Sequence, residues 1–328
     1  CMETALIGAD EIRSSTPMET LIPAIEDAFV RAGSDDVQMP AKSYLHLEAF
    51  GGDFRAMPAY LNSARGPAAG IKWVNSHPAN AAEGPFPSVM GVYIYADPHT
   101  GFPRAIMDGT ELTMRRTGAA AGVATDHLAA PDATSLGLIG AGAQAATQAE
   151  AITTVRPIEQ IIVSDVDTER ADAMAEALAD LAPTRVGTTA AAAGCAICST
   201  LTPVRAPIVE AAMLQEDTHI NAMGADAPGK QELAPEILQT ATVVIDDTEQ
   251  AHHSGEVNVP LEEGRISTGA IAGTLTEVIA GSIPVDPTAQ TVFDSTGLAI
   301  QDVATAQLVM EATDLDRHPS VDLVGVGG

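Results

Sequence analysis

The spacing of apolar residues changes period along the chain, and each change marks a new kind of element. Near the start, Leu21, Ile25, Ala28 and Phe29 recur at helical spacing. The run Ser14-Ser-Thr-Pro17 starts this helix, with proline near its first turn, and Gly33–Asp36 ends it. Residues 3–30 therefore read as a strand-to-helix unit. From 37 to 108 the pattern alternates with period two, which predicts antiparallel strands over Lys42–Leu47, Asp53–Tyr60, Ala69–Asn75, Ser88–Tyr95 and Pro103–Met107. Asn75–Pro87 is a loop by its Pro, Asn and Gly content, and Ala96–Gly101 closes a hairpin. Helical spacing returns over Glu111–Ala130, which Pro131 stops.

Beyond residue 134 short apolar runs alternate with helical segments. Strands are expected at Leu136–Ile139, Ile158–Ser164, near Arg185–Gly187, and at Cys195–Ser199, Thr218–Ala222 and Thr242–Asp246. Helices fall over Gln144–Val155 and Thr168–Leu181. Asp294–Asp302 opens a last helix, Leu298–Thr313, and the terminal segment 321–328 adds an edge to the first sheet. Strands without interleaved helices and strands alternating with helices call for separate sheets. The expected fold class is α/β: a Rossmann-type doubly wound parallel sheet plus a discontinuous α+β substrate-binding and dimerisation domain. The boundaries are 1–115 with 297–328 for the α+β part and 116–296 for the nucleotide-binding part.

One turn in the second part carries chemistry. Gly140, Gly142 and Ala145 fit G-x-G-x-x-G/A between a predicted strand and a predicted helix. The first glycine makes the turn, the second admits a pyrophosphate, and the small third residue lets helix pack on strand. The next strand ends in Asp165, placed for a ribose 2′-hydroxyl, which favours NAD over its 2′-phosphorylated form.

Charge narrows the functional classes. Sixteen Lys and Arg face 44 Asp and Glu, a formal net charge of −28. Nothing here neutralises nucleic-acid phosphate in bulk, so nucleic-acid binding is disfavoured. With 46% hydrophobic residues the chain still folds, and self-repulsion of this size calls for salt screening. A cytoplasmic protein of a high-salt cytosol is expected. No apolar run reaches the length of about 18 residues that suggests a membrane span, and no charged-then-apolar leader opens the sequence. Lysine has been nearly eliminated: only Lys42, Lys72 and Lys230 occur, and each therefore merits a site role. Lys72 sits in an otherwise apolar strand, where an ammonium is hard to bury without an anionic partner. Cys195 and Cys198 lie in an apolar run without further ligands at zinc spacing, so core packing is expected and no metal.

The densest stretch is His219–Leu233, where Gly224-Ala-Asp-Ala-Pro-Gly-Lys230 leaves a strand at the ligand-binding edge of the sheet. Asp226 can act there as a general base, with Lys230 countering its charge or fixing the loop. A turn made by Pro228-Gly229 and capped by Asp226 is the plainer alternative. Asn221–Leu233 resembles the signature of the ornithine cyclodeaminase/μ-crystallin family. Lys42, Gly52-Asp-Phe-Arg-Ala-Met-Pro58, Lys72-Trp-Val-Asn-Ser-His-Pro78, Arg116-Thr-Gly-Ala119 and Asp294-Ser-Thr-Gly297 extend the likeness over nearly the whole chain. Gly52–Leu61, Gly224–Leu233 and Ser295–Asp302 are most similar to the archaeal alanine dehydrogenase branch.

The resemblance implies roles. Arg55, Lys72 and Arg116 grip an amino- or keto-acid carboxylate, a task suited to guanidinium groups. Lys42 and Lys230 stand on the substrate side, and Asp226 with Lys72 is catalytic. Gly140, Gly142, Ala143, Gln144, Asp165, Ser295 and Thr296 take the cofactor. Arg115 and Arg116 point about 100° apart on a helix, so at most one faces a given pocket. Ser88 stands where cyclodeaminases tend to have threonine, and His77 and His252-His253 read as turn and helix-end residues. The activity implied is NAD-dependent oxidative deamination of a small L-amino acid, reversibly converting alanine to pyruvate and ammonia, by a homodimer built through the first sheet. Ornithine cyclodeaminase, which makes proline with catalytic NAD, remains an alternative. So do a ketimine reductase and a non-catalytic nucleotide-dependent binding protein of the μ-crystallin type.

Overall fold

A computed structural model describes residues 3–80 and 84–325. Cys1-Met2, residues 81–83 of the expected loop Asn75–Pro87 and residues 326–328 of the terminal segment lie outside it. The chain divides into two compact units, Cys1–Arg116 with Ala299–Gly328, and Thr117–Leu298.

The first unit is built on a mixed sheet. In chain order its strands are β1 (Thr4–Ile7), β2 (Val37–Gln38), β3 (Ser43–Leu47), β4 (Gly52–Ser63), β5 (Gly66–Ser76), β6 (Gly91–Ala96) and β7 (Pro103–Asp108). β4 to β7 form an antiparallel meander, β1 joins β7 in parallel, and β2 and β3 both pair with β4. The segment Ser320–Val321 pairs with β1 and forms the expected edge. Helices α1 (Ala9–Ser15) and α2 (Met18–Arg31) follow β1; the expected single helix is preceded by α1, a seven-residue helix that the apolar spacing does not mark.

Period-two alternation decides what each face of this sheet carries. Arg55, Met57, Ala59 and Leu61 of β4, Val74 and Lys72 of β5, and Tyr93 and Tyr95 of β6 are buried. Their neighbours Trp73, Val92 and Ile94 are exposed on the opposite face. The buried face of β4 is covered by α2 and by the closing helix Ala299–Ala312, which also reaches β5. The strand expected over Ser88–Tyr95 begins only at Gly91. Asn75 Oδ1 accepts the Met90 amide at 2.7 Å, so a side chain takes the place of a ladder carbonyl there.

Helix α3 (Gly109–Leu128) runs through the boundary between the units. The second unit then contributes β8 (Ser135–Ile139), α4 (Ala143–Val155), β9 (Gln160–Ser164), α5 (Thr168–Ala177), β10 (Thr184–Val186), β11 (Ile197–Thr200), β12 (His219–Ala222), β13 (Thr242–Ile245), β14 (Ile271–Thr274) and β15 (Thr291–Asp294). All eight strands are parallel, in the order β10-β9-β8-β11-β12-β15-β13-β14. This is the expected doubly wound sheet. Two of its strands were not anticipated. Thr291–Asp294 is a fully buried four-residue strand, so Asp294 ends a strand and does not open the last helix. That helix, α6, starts at Ala299. Among the described residues no helix is long and apolar enough to cross a membrane.

Candidate active site

In the first unit, β5 places Lys72 on the helix-covered face, where 1% of it is exposed. An ammonium at that depth needs a partner, and α6 supplies one. Lys72 Nζ donates to Asp302 Oδ1 at 2.8 Å. Arg116, near the middle of α3, donates from Nε to the same oxygen at 3.1 Å and from Nη1 to Gln301 Oε1 at 3.0 Å. Two buried cations thus share one oxygen of one carboxylate. Burial first, and then the Arg116 charge, pull the Lys72 ammonium down from its ordinary value to about 7, against the opposing pull of Asp302; the charge of Lys42 adds to the depression.

Arg55 lies diagonally from Lys72 on the same face, because Arg55 pairs with Val74 and Met57 with Lys72. Such diagonals span about 7–8 Å. Its guanidinium is held by Asp53, Nε to Oδ1 at 2.9 Å, and lies over the Tyr44 ring at 5.5 Å. Arg115 goes elsewhere: its guanidinium donates to the hydroxyl and carbonyl of Thr16 at the end of α1. The roughly 100° between adjacent helical positions thus separates a structural arginine from one that meets Lys72. His77 turns to the other side of the sheet, where Asn75 Nδ2 lies 2.8 Å from its Nδ1 and its ring meets Phe54 edge-on. Ser88 Oγ donates to the Pro78 carbonyl at 3.4 Å.

In the second unit the carboxyl ends of the parallel strands collect the remaining candidates. Gly140 follows β8 with φ at +106°, and its amide donates to the Ser164 carbonyl at 2.8 Å. Gly142 caps α4 with ordinary φ and has open space where a Cβ would stand. Ala145 is fully buried in the first turn of that helix. Ala143 is exposed at the helix start, and the buried Gln144 Oε1 has no hydrogen-bond partner among the described residues. Asp165, after β9, accepts the Ala141 amide at 2.7 Å and ties the two strand ends together. A bare glycine at a helix N-terminus, an unpartnered amide oxygen and an acid one strand over suit a dinucleotide.

Asp226 sits on the loop after β12, with Lys230 Nζ 2.5 Å from its Oδ1. Lys230 therefore engages Asp226 within its own loop. Ser295 and Thr296, after β15, turn their hydroxyls to Asp246, at 3.2 and 3.0 Å. His252 and His253 are exposed at a helix end. Cys195 and Cys198 are buried, and among the described residues no group of three or more His, Cys, Asp or Glu is arranged to hold a metal ion.

Residues that the sequence reading did not single out hold this edge together. Glu232 accepts from the Thr202 amide and hydroxyl, both at 2.7 Å, and from the Gly224 amide at 2.9 Å. Glu256 accepts the amides of Glu232 and Leu233, and Asp294 those of Glu256 and Val257. Asp246 accepts the amides of Thr296 and Gly297 at 2.6 and 2.8 Å. Burial foremost, and repulsion between neighbours, raise Glu256 well above the usual carboxylate range and Asp294 to about 7. Their signal in the sequence was faint, since 44 acids mask a few buried ones. Asp302 is an acid inside the mostly apolar run Leu298–Met310, but nothing in the sequence joins it to Lys72.

A glycine turn entering a doubly wound parallel sheet, in a chain whose other unit buries paired cations, defines an α/β protein of the dinucleotide-dependent class. The model of the ornithine cyclodeaminase/mu-crystallin family matches residues 2–315, and the chain belongs to that family. It is similar to the alanine dehydrogenase of Archaeoglobus fulgidus, 44% identical over 313 residues that cover 94% of this chain and 95% of that one. A solved archaeal alanine dehydrogenase dimer with bound NAD matches with a TM-score of 0.92 at 42% identity, covering 98% of this chain and 99% of that one. The Δ1-pyrroline-2-carboxylate reductase of Thermococcus litoralis, solved with NADH and L-proline, matches with a TM-score of 0.92 at 32% identity, covering 98% and 100%.

Proposed function

We propose that this protein catalyses the NAD-dependent oxidative deamination of a small L-amino acid, with alanine converted reversibly to pyruvate and ammonia. The observation that carries the reading is the Lys72–Asp302–Arg116 cluster, buried cations in excess over their carboxylate within a chain of net charge −28. A substrate carboxylate supplies the missing anion. Arg55 and Lys42 extend the positive field around it. Similarity to the Archaeoglobus alanine dehydrogenase supports the substrate class.

Gly140, Gly142, Ala143, Gln144 and Asp165 would hold the dinucleotide, with Ser295 and Thr296 at the same sheet edge. NAD, when bound, supplies the hydride acceptor. Lys72 and Arg116 orient the substrate through its carboxylate. Asp226, with Lys230 bonded to it, takes and returns the protons as the α-amine becomes an imine and water adds. One water enters, and ammonium, a proton and the reduced cofactor leave with each pyruvate.

The test is an amino-acid panel with NAD at molar KCl. NADH accumulating with L-alanine, and abolished by Lys72→Ala and Asp226→Asn, is the expected result. Activity that survives both substitutions removes the mechanism. A second reading is reduction of a cyclic imine, which the Thermococcus match supports, or cyclodeamination of ornithine, which membership of the family supports. It predicts ammonia release from ornithine without net NADH, or NADH consumption with a cyclic imine.

The dimer of the archaeal relative and the apolar outer face of the first sheet, with Trp73, Val92 and Ile94 exposed, support a homodimer through that face. The acidic composition supports a high-salt cytosol as its setting.

A further inference from the structure

Helix α6 is buried on every side from Ala299 to Val309, yet it carries an aspartate in its first turn. Asp302 is fully buried. The positive end of the helix dipole lies beside it, and two cations meet its Oδ1. A carboxylate that served only to neutralise a buried arginine would use both oxygens against the guanidinium fork. This one does not. Its Oδ1 receives both Lys72 and Arg116, while its buried Oδ2 has no hydrogen-bond partner among the described residues. The buried hydroxyl of Tyr93, directly across the β5–β6 ladder from Lys72, has none either. The space for that hydroxyl depends on Gly70, where an added Cβ would stand 2.1 Å from it. The sharing of a single oxygen fixes the two cations as neighbours and leaves them with positive charge in excess.

We propose that Asp302 is a positioning residue: it holds the Lys72 ammonium and the Arg116 guanidinium side by side on one oxygen, so that a single substrate carboxylate spans both. This rests on the functional reading above, in which those cations receive the substrate. The charged and titratable groups facing Lys72 are Asp302 from α6, Arg116 from α3, Lys42 from the segment before β3, Tyr93 from β6 and, diagonally on β4, Arg55 with its partner Asp53. Burial and the two cations push the lysine towards its neutral form, and Asp302 opposes them. Asp302 therefore favours the protonated form of Lys72 around neutral pH. Removal of its charge makes Lys72 lose that proton at lower pH, and capture of a carboxylate then fails earlier on the alkaline side.

The experiment is a calorimetric titration of pyruvate into the NADH-loaded protein at molar KCl, from pH 5.5 to 9. Pyruvate stays anionic throughout. In the native protein the affinity should decline above about pH 7, by about tenfold per unit at the steepest. Lys72→Arg, which does not titrate, should abolish the decline. Asp302→Asn should move it down by at least about one unit, so that binding is about tenfold weaker at pH 7.5 and nearly native at pH 5.5. A decline at the native pH in Asp302→Asn, or an equal loss at every pH, overturns the proposal. Should that variant not fold, Asp302→Glu decides, since it keeps the charge and moves the oxygens. Weaker binding at every pH with the decline in place is then expected, and native affinity overturns the proposal. Failure of the native protein to bind pyruvate at all defeats the functional reading, and the proposal with it; native binding with an unmoved decline defeats the proposal alone.

Discussion

Gly140 and Gly142 stand two positions apart and should respond in opposite ways to a methyl group. At Gly140, φ is +106° and a Cβ would lie 3.1 Å from Thr202 Cγ2 and 3.2 Å from the Leu201 carbonyl. Gly140→Ala should cost roughly 1–3 kcal/mol of stability, read as a lower Tm. At Gly142 the backbone is ordinary and the space is open. Gly142→Ala should leave stability within about 0.5 kcal/mol and weaken NAD binding by an order of magnitude or more. Equal effects of the two on Tm would show that the turn is not shaped for a ligand. Tyr93→Phe is a third case. It deletes a buried hydroxyl without a partner, whose desolvation costs about 1–3 kcal/mol, and should leave Tm unchanged or raise it. A clear fall in Tm would mean that the hydroxyl is engaged.

The strand-end loops of the second unit form the next level. Glu232, Glu256, Asp294 and Asp246 join the segments after β11, β12, β13 and β15 through backbone amides, with Asp294 raised to about 7 mainly by its burial. An acid whose folded value exceeds its unfolded value, near 4, binds its proton more tightly when folded. Stability from this group is therefore complete below about pH 4 and is lost as pH rises towards 7, with a slope of at most about 1.4 kcal/mol per unit. Denaturant titrations should show the slope in native protein and a flatter one in Asp294→Asn. Stability that rises between pH 4 and 7 from this unit would refute the assignment.

Much of this architecture is legible in the sequence itself. Period-two runs located β3, β4, β5 and β7, and the glycine turn located β8 and α4, because each reflects a local steric or burial rule. Scarcity made Lys72 legible: a lone lysine in an apolar strand demands an anion. The location of that anion was not legible, because Asp302 lies far along the chain and only tertiary packing joins them. β15 was missed for a related reason. Its four buried residues carry no period of their own, and Asp294 resembles a helix cap until Glu256 and Val257 are seen to donate to it.

For the whole molecule, charge dominates. With 44 acids against 16 bases, self-repulsion opposes compaction, and it is screened over about 3 Å at 1 M salt compared with about 10 Å at 0.1 M. Thermal melts should show Tm rising on the order of 10 °C between 0.1 M and 2 M KCl. A salt-independent Tm would count against a high-salt setting. The paired cations are the exception in this acidic molecule, and the account depends on what they are for. A crystal structure with NADH and pyruvate bound tests this most directly. The account predicts the pyruvate carboxylate within hydrogen-bond distance of both Lys72 Nζ and the Arg116 guanidinium. A pyruvate bound elsewhere, with Lys72 and Arg116 still closed on Asp302 alone, would contradict it.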